Sequence, residues 1–448
     1  MRDVILIVLV FGGAFVALLR PYYGLLLFIW LGLLNPQSYT WGVARTLPLS
    51  QVAALATMVG MMVSGELKKL PKQRELYLLV LLWCLFGVTT LGALEPTLAI
   101  TKLGEVSKIL LMAVLTMILI NSRERLHSIV QIIGLSLGFH ALRAGVFVIT
   151  TGGQYNVYGP ENSFLGTNNA IGLAIAMNVP VLLFLIKQET RAWLVWLMRG
   201  MLVLSYPAII CTYSRGAWLG LAAVSALIFV RSRRTFLFAT AGGLVVIVLL
   251  AVSPSVIPQR LLSRYDDLVN YEDESSAQSR LWNWTFCGRV GLGNPLTGLG
   301  FDYYSPALYP IYYPEFVEHY GAGKVWSCHD VWLTVFSEHG IPGFVLWIAL
   351  LLSCVSSLRR ISGYSKAQPE MAWASDHADL LLKMLVPYVV AGTFFDAAYF
   401  DLLYYVIAMT IILKELAYAP IAQLLPAAIA GDRLGSTARG EEKVPLAT

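Results

Sequence analysis

The chain carries little charge for its length, and this shortage decides its class. Only 13% of its 448 residues are Asp, Glu, Lys or Arg, whereas soluble domains carry about 25%. Hydrophobic residues make up 57% of the chain, and the mean hydropathy is +0.67. Long apolar runs recur throughout, while the short alternating segments of a membrane β-barrel are missing. The composition therefore excludes an ordinary soluble domain and predicts an all-α polytopic membrane protein.

The sequence also lacks the patterns of metal and nucleic-acid sites. Its five cysteines show no CxxC spacing, and no compact HxxxH pattern occurs, so we predict neither a metal nor a cofactor. The basic residues are scattered between apolar runs, which argues against nucleic-acid binding. The net charge of +5 is expected to reflect contact with membrane lipid headgroups. Cys287 and Cys328 fall in the same long polar segment, where they either pair or remain free thiols.

About a dozen apolar runs are candidates for membrane spans, because a helical span needs about 20 apolar residues. We therefore predict about twelve transmembrane helices. The runs cover residues 3–19, 22–35, 50–65, 76–93, 97–120, 127–150, 169–186, 192–212, 215–230, 235–252, 340–358, 380–397 and 402–417.

Basic clusters orient these predicted spans. Clusters near residues 70, 124, 233 and 360 are expected in the cytoplasm under the positive-inside rule. Alternation then places one long polar segment on the outer side and the tail inside. A strict count places the N-terminus outside, and it falls inside instead if one of the marginal spans does not form. The predicted organisation is an N-terminal transmembrane region (1–168), central helices with the Arg215 turn (169–252), an outer loop domain (253–339), C-terminal helices (340–417) and a disordered cytoplasmic tail (418–448).

Arginines near the outer side are candidate ligands for an anion. Arg215 lies between two apolar runs, and Arg280 precedes two tryptophans of the outer loop. The planar guanidinium matches phosphate oxygens, so this pair could hold a diphosphate and stabilise a leaving pyrophosphate without a metal. A salt bridge to the acidic run upstream is the alternative for Arg280. Arg191 is a weaker third candidate, and for Arg143 packing and function remain equally open.

A histidine at the outer mouth of the last helices is the first candidate for a general base. His339 follows Glu338 and precedes Gly340, so we expect it at a fixed junction between two helices. An imidazole accepts a proton near neutral pH. Glu338 is either its rival or its orienting partner. His329 competes as the base, and a structural role for His339 is the alternative.

Two neighbouring asparagines end the turn-rich stretch before the seventh apolar run. Asn168 and Asn169 are positioned to cap the span that starts near residue 170. A cap accounts for only one of them, so both are kept as supporting candidates for the site.

Several motifs of this chain resemble those of a known family. The stretches "NPQSYTWG" and "VYGPENSFLGTNNA" resemble the N-terminal region of bacterial O-antigen ligases and of exosortase-associated O-glycosylation ligases. The stretches "SRGAWLG", "SRLWNW", "NPLTGLGFDYY" and "HDVWLTVFSEHGIPG" resemble the catalytic region of the O-antigen ligase and polymerase superfamily. The resemblance covers nearly the whole chain apart from the tail.

The resemblance implies a fold, a reaction and a location. The fold would be GT-C-like, with one long periplasmic loop domain and both termini in the cytoplasm. The reaction would be an inverting, metal-independent glycosyl transfer at the bacterial inner membrane, as part of lipopolysaccharide biosynthesis. It would move O-antigen from undecaprenyl pyrophosphate, the donor, to a sugar hydroxyl of lipid A–core, the acceptor. Arg215, Arg280 and His339 match the family's essential residues, whereas His329–Asp330 departs from the usual His-Asn.

Three other functions remain open from the sequence. A polymerase of the same superfamily would join repeat units to each other, and a protein O-glycosylation ligase would use a Ser, Thr or Tyr hydroxyl as acceptor. A transporter or flippase of lipid-linked sugars would need no base, but it predicts paired repeats and broken helices, which the sequence does not show.

Overall fold

A computed structural model describes residues 1–66, 70–231, 275–321, 323–366 and 368–418, and all regular structure in these residues is helical. The predicted span 235–252, the first part of the predicted loop domain (253–274) and nearly all of the predicted tail (419–448) lie outside the described residues. The helices of the first half are α1 (Arg2–Leu19), α2 (Pro21–Leu34), α3 (Leu49–Ser64), α4 (Arg74–Leu91), α5 (Pro96–Leu119), α6 (Arg123–Thr151), α7 (Asn168–Gln188), α8 (Ala192–Ile210) and α9 (Arg215–Arg231).

The second half begins with short helices and ends with long ones. One predicted boundary is wrong: the run 380–397 is not a single helix, because the chain leaves the helix after Gly392 and turns before residue 401. The helices are α10 (Ser275–Gly293), α11 (Tyr309–Tyr312), α12 (Pro314–Tyr320), α13 (Val331–Lys366), α14 (Ala372–Gly392) and α15 (401–418).

Several of these helices are suited to a membrane. Six are long and apolar enough to cross one, namely α1, α4, α6, α7, α8 and α13, and α2, α3 and α9 are shorter apolar helices. The structure therefore confirms an all-helical chain with multiple candidate spans among the residues that it describes. The total of about twelve spans and the GT-C-like arrangement stay predictions.

Helix α7 lies at the centre of the bundle. It is apolar around its whole circumference, and nearly every side chain from Ala170 to Leu185 is buried. Helices α6, α8, α9 and α14 pack against it. A helix without a polar face is stable only when neighbours or lipid surround it, so α7 organises the packing of the others.

The bundle has an upper end, which we define by the connections 35–48, 152–167 and 211–214. The backbone N–H of Val157 donates to the carbonyl of Cys211 at 2.9 Å, and Arg45 pairs with Glu161, so these connections lie together. Helix α1 begins at this end. Helix α15 runs to the opposite end, where the Lys414 ammonium pairs with the buried Glu75 carboxylate of α4 at 2.9 Å.

The first and last described helices therefore have their free ends on opposite sides. The resemblance implied that both termini lie in the cytoplasm, whereas the count of basic clusters placed the N-terminus outside and the tail inside. Nearly all of the tail lies outside the described residues, so both orientations stay predictions.

Residues 275–330 form a small layer on the upper end with an aromatic core of its own. A disulfide joins Cys287 of α10 to Cys328, just before α13. The buried rings around it belong to Phe286, Tyr303, Tyr309 and Phe316. Of the two alternatives for these cysteines, the structure contains the pair, which connects the two ends of the layer.

The disulfide generates a prediction about stability. Replacing Cys287 by Ala should lower the free energy of unfolding by about 2–4 kcal/mol, because the loop of the unfolded chain is no longer closed. Chemical denaturation of the purified protein would measure the change. Cys84→Ala, which removes an exposed free thiol, is the control and should leave stability unchanged. An equal effect of both substitutions would mean that the pair does not form.

Candidate functional site

A break in helix α13 positions the first part of the site. Gly340 has φ 65° and ψ −168°, so the helix is interrupted there. The carbonyls of Ser337 and Glu338, which lose helical partners at the break, accept hydrogen bonds from Leu299 at 3.0 Å and Gly300 at 2.9 Å. The predicted junction next to His339 is therefore confirmed, and a loop of the upper layer holds it in place.

The connection between α14 and α15, residues 393–400, brings the candidate residues together. It contains no regular helix, and it lies at the upper end next to the start of α13. Phe394, Asp396 and Tyr399 of this connection each contact a different predicted site residue, as described below. The sequence placed the first part of the connection inside a span and so missed its role.

His329 and Asp396 form a close pair on the surface of this region. The imidazole Nδ1 lies 3.2 Å from the Asp396 carboxylate, and 41% of the His329 side chain is exposed. Ser327 and Thr334 donate hydrogen bonds to the same carboxylate. Partial burial opposes ionisation of Asp396, but the bonds from His329, Ser327 and Thr334 outweigh it and hold its pKa below the ordinary value. The pair is an accessible imidazole oriented by an ionised carboxylate.

The His339 side chain, in contrast, is fully buried, with no exposed surface. Nδ1 lies 2.7 Å from the Thr89 hydroxyl, and Nε2 lies 2.9 Å from the Tyr399 hydroxyl. The rings of Phe86 and Phe301 flank the imidazole at 4.3 and 4.5 Å. Both ring nitrogens therefore have protein partners in this arrangement.

Glu338 is almost as buried and connects His339 to the rest of the site. Its carboxylate accepts hydrogen bonds from the Tyr399 hydroxyl at 2.5 Å and from the backbone N–H of Asp302 at 3.1 Å. Tyr399 thus contacts both predicted residues, and its hydroxyl lies between the glutamate and the imidazole. Glu338 contacts His339 through this tyrosine, since the direct separation of the two side chains is 3.9 Å.

Arg280 contacts Phe394, and the start of α9 lies next to the same residue. The Arg280 guanidinium donates a hydrogen bond to the carbonyl of Phe394. Arg215 is the first residue of α9, and a Cβ placed on the adjacent Gly216 would lie 3.1 Å from the Phe394 side chain. The structure thus brings Arg280 to the connection that carries Asp396 and places the backbone next to Arg215 beside it. The acidic run proposed as the alternative partner of Arg280 lies outside the described residues.

Two other predicted residues are placed differently from what the sequence indicated. The N-cap of α7 is Thr167, whose hydroxyl accepts from the backbone N–H of Ala170 at 3.1 Å. The predicted capping by Asn168 or Asn169 is therefore wrong, because both lie inside the helix. The Asn168 side chain instead donates to the carbonyl of Thr212 at 2.9 Å, three residues before Arg215.

Arg191 is far from the other candidates. It precedes α8 at the end of the bundle opposite the site, and its guanidinium donates two hydrogen bonds to the Glu189 carboxylate at 2.9 and 3.0 Å. These bonds lower the pKa of Glu189 to about 2. Arg191 is thus an exposed ion-pair partner that the fold does not bring to Arg215 or Arg280.

Asp396 and Tyr399 are the site residues that sequence reasoning missed. Asp396 could have been found from the sequence, because it is an ionisable residue inside an apolar run. Such a residue is costly without a partner and usually marks a functional site. Among the described residues, no group of three or more His, Cys, Asp or Glu side chains is arranged for a metal ion.

Comparison with known families connects this geometry to one class of protein. Residues 200–348 match the model described as O-antigen ligase, and this range includes Arg215, Arg280, His329 and His339. Residues 200–348 belong to the O-antigen ligase family. Residues 1–190 match a family of unknown function. No curated protein matches the chain.

The O-antigen ligase family comprises membrane enzymes of glycosyltransferase type that use lipid-linked glycans. The apolar helices of this chain agree with that setting. The O-antigen ligase match begins in α8 and ends in α13, so it includes the disulfide and the break at Gly340, whereas the connection 393–400 follows it.

Asp330, beside His329, yields a prediction about pH. Its carboxylate accepts from the backbone N–H groups of Trp332 and Leu333 at 2.8 Å and caps α13. Burial raises its pKa to about 6 despite these bonds. The folded protein then holds the proton more tightly than the unfolded chain, so stability falls as the pH rises from about 4 to about 6.

Asp330→Asn should abolish the loss of stability with rising pH, because asparagine also caps a helix and carries no charge. Thermal unfolding between pH 4 and pH 8 should show equal stability near pH 4 and a more stable variant above pH 6. A variant that is less stable than the parent at pH 7 would show that the charged carboxylate is favourable in the fold.

Proposed function

We propose that this protein is an O-antigen ligase that transfers O-antigen polysaccharide from undecaprenyl pyrophosphate to a sugar hydroxyl of lipid A–core in lipopolysaccharide biosynthesis. The reaction is an inverting, metal-independent transfer at the periplasmic face of the inner membrane. One observation carries the proposal: the accessible His329–Asp396 pair and Arg280 meet at one connection, beside the start of α9 that carries Arg215, at one end of a bundle of apolar helices. The disulfide supports an outer location for this end, because disulfides persist in oxidising compartments.

Arg215 and Arg280 bind the donor pyrophosphate. The Arg280 guanidinium donates to this connection from α10, and Arg215 begins α9, whose next residue, Gly216, packs close to Phe394, so the two cations would act on one anion. Negative charge develops on the pyrophosphate as its bond to the sugar breaks, and fixed cations at a membrane boundary stabilise that charge more than water would. The polyprenyl tail lies along the apolar helices below. Arg191 has no part in this step, because it lies at the opposite end.

His329 is the general base, and not His339 as the sequence indicated. Its Nδ1 faces Asp396, which leaves Nε2 to take the proton and stabilises the imidazolium that forms. A substrate hydroxyl cannot contact His339 without displacing Thr89 or Tyr399. His339 and Glu338 are positioning residues, which hold Tyr399 and with it the connection 393–400.

The transfer is a single displacement. The acceptor oxygen attacks the anomeric carbon of the donor sugar while the bond from that carbon to the pyrophosphate oxygen breaks. The hydroxyl proton passes to Nε2 of His329, and the configuration at the anomeric carbon inverts. The protein contributes orientation, a base and charge stabilisation, and the pyrophosphate is already a good leaving group.

Two histidine variants test this assignment. His329→Ala should lower the transfer rate by about 10²–10⁴-fold, the usual contribution of a general base. It should lower the unfolding temperature less than His339→Ala does, because Ser327 and Thr334 still donate to the Asp396 carboxylate. His339→Ala should lower the unfolding temperature, because it leaves the hydroxyls of Thr89 and Tyr399 without their imidazole partner. The purified protein would be reconstituted with lipid-linked O-antigen and lipid A–core, and the conjugate quantified by mass.

His319→Ala is the matched control, because this exposed histidine of the same layer stacks on Trp282 away from the site. Full activity of His329→Ala would overturn the assignment. Extension of the donor glycan in the absence of lipid A–core would instead identify a polymerase, and transfer to a peptide hydroxyl would identify a protein O-glycosylation ligase. Movement of the donor across the membrane without any conjugate would identify a transporter.

The arginine pair gives a second test of the donor site. Arg215→Gln and Arg280→Gln should each raise the KM for the donor or lower kcat/KM by about 10–100-fold, since each removes a charge-assisted contact to phosphate. Arg289→Gln is the control, because Arg289 of the same layer pairs with Glu315 on the surface. Unchanged donor kinetics in both site variants would contradict the pyrophosphate role.

A further inference from the structure

The upper end carries a cavity of about 730 Å³, in the part of the chain (1–190) that matches a family of unknown function. Most of its lining comes from three stretches: residues 38–41 after α2, residues 143–147 of α6, and residues 156–161 before α7. The first and last belong to motifs that the sequence singled out and that the transfer site does not use. The residues of the transfer site, Arg215, Arg280 and His329, do not line it.

The cavity is cationic. Arg2, Arg45 and Arg143 line it together with a single carboxylate, Glu161, which pairs with Arg45. Asp3 follows Arg2 in the sequence but does not line the cavity. Its carboxylate accepts hydrogen bonds from backbone N–H groups outside the cavity lining. The lining therefore has an excess of positive charge and suits an anion.

Arg143 is the most informative of the three. It lies in α6 eight residues before Thr151, which is about 12 Å below the helix end at about 1.5 Å per residue. Its guanidinium donates to the Tyr39 hydroxyl at 2.7 Å and lies 4.9 Å from the centre of that ring. No ion pair among the described residues includes it. The side chain is exposed in the cavity, and a cation on an apolar helix that has no ion-pair partner there points to a bound anionic group.

Hydrogen bonds hold the part of the lining around Arg143. The Tyr39 hydroxyl lies 3.2 Å from Nδ1 of His140, and the other nitrogen of this imidazole lies 2.9 Å from the carbonyl of Leu33. Tyr39 in turn holds the Arg143 guanidinium. A preorganised cation loses little freedom when an anion binds.

Aromatic rings offer flat surfaces next to these cations. Trp41 and Tyr158 line the cavity with 86% and 58% of their surface exposed, and Phe147 adds a third ring. The volume falls within the range of about 300–1,000 Å³ that is usual for small-molecule sites, where apolar walls provide area and a few charges set orientation. Rings beside a fixed cation match a ligand with both a flat apolar face and a negative group.

We propose that this cavity binds an anionic saccharide, a sugar that carries a phosphate or a carboxylate. Arg143 and Arg45 hold the negative group, and Trp41 and Tyr158 pack against the sugar ring. The proposal goes beyond the transfer reaction and does not rest on it, because binding is measurable without any transfer.

Equilibrium dialysis of the full chain in phosphatidylcholine nanodiscs tests the proposal, with radiolabelled glucose 6-phosphate, glucose and inorganic phosphate as probes. Glucose 6-phosphate should bind at least about tenfold more tightly than either other probe. Arg143→Gln and Trp41→Ala should each weaken it by about tenfold or more. Glu161→Gln should strengthen it, because the competing carboxylate of the cavity is removed.

Arg199→Gln is the matched control. Arg199 of α8 lies over the Trp196 ring at 4.9 Å, the same distance as Arg143 over Tyr39, but outside the cavity. This variant should bind as the parent does. Trp41 is so exposed that its replacement does not endanger the fold, so the test stands even where Arg143→Gln fails to fold.

Three results would overturn the proposal. Equal binding of glucose and glucose 6-phosphate would show that the cavity does not recognise the anionic group. Equal binding of inorganic phosphate and glucose 6-phosphate would show that it does not recognise the sugar. Loss of glucose 6-phosphate binding in nanodiscs that contain phosphatidylglycerol would assign the cavity to a lipid phosphate.

Discussion

The partly buried carboxylate of Asp396 is the constraint on which the transfer site depends. A carboxylate withdrawn from water is costly unless donors surround it, and here His329, Ser327 and Thr334 supply those donors. Satisfying this one group fixes the connection 393–400 against the start of α13. The same contacts orient the imidazole, so the structural requirement and the proposed chemistry are met by the same hydrogen bonds.

The rest of the upper end is arranged around this connection. The break at Gly340 exposes backbone carbonyls, which the loop 299–300 satisfies, and the disulfide between Cys287 and Cys328 joins α10 to the segment just before α13. Arg280 reaches the connection from α10, and the start of α9, which carries Arg215, packs beside it. The apolar helices support this arrangement from below, so these charged groups lie at one end of the bundle.

Many of the helices and several of the site residues were predictable from the sequence, because local chemistry determines them. Apolar runs predict helices, and Gly340 with the proline after it predicts the junction beside His339. The arginines that follow or precede apolar runs stood out because charge is rare there. The cap of α7 was mistaken, since Thr167 was overlooked beside two asparagines that also cap well. Asp396 was missed because the run 380–397 that contains it was interpreted as a single span, and Tyr399 lies just after that run.

The sequence by itself determined the class of the chain, the approximate helices and the short set of charged residues from which a site could be built, since hydropathy and charge are properties of each segment alone. Only the tertiary structure decided which of those residues meet. It separated Arg191 from Arg215, closed His339 between Thr89 and Tyr399, exposed His329 beside Asp396, and assembled the cavity around Arg143 from three distant stretches. These outcomes depend on packing between segments far apart in the chain, and local pattern carries no information about that packing.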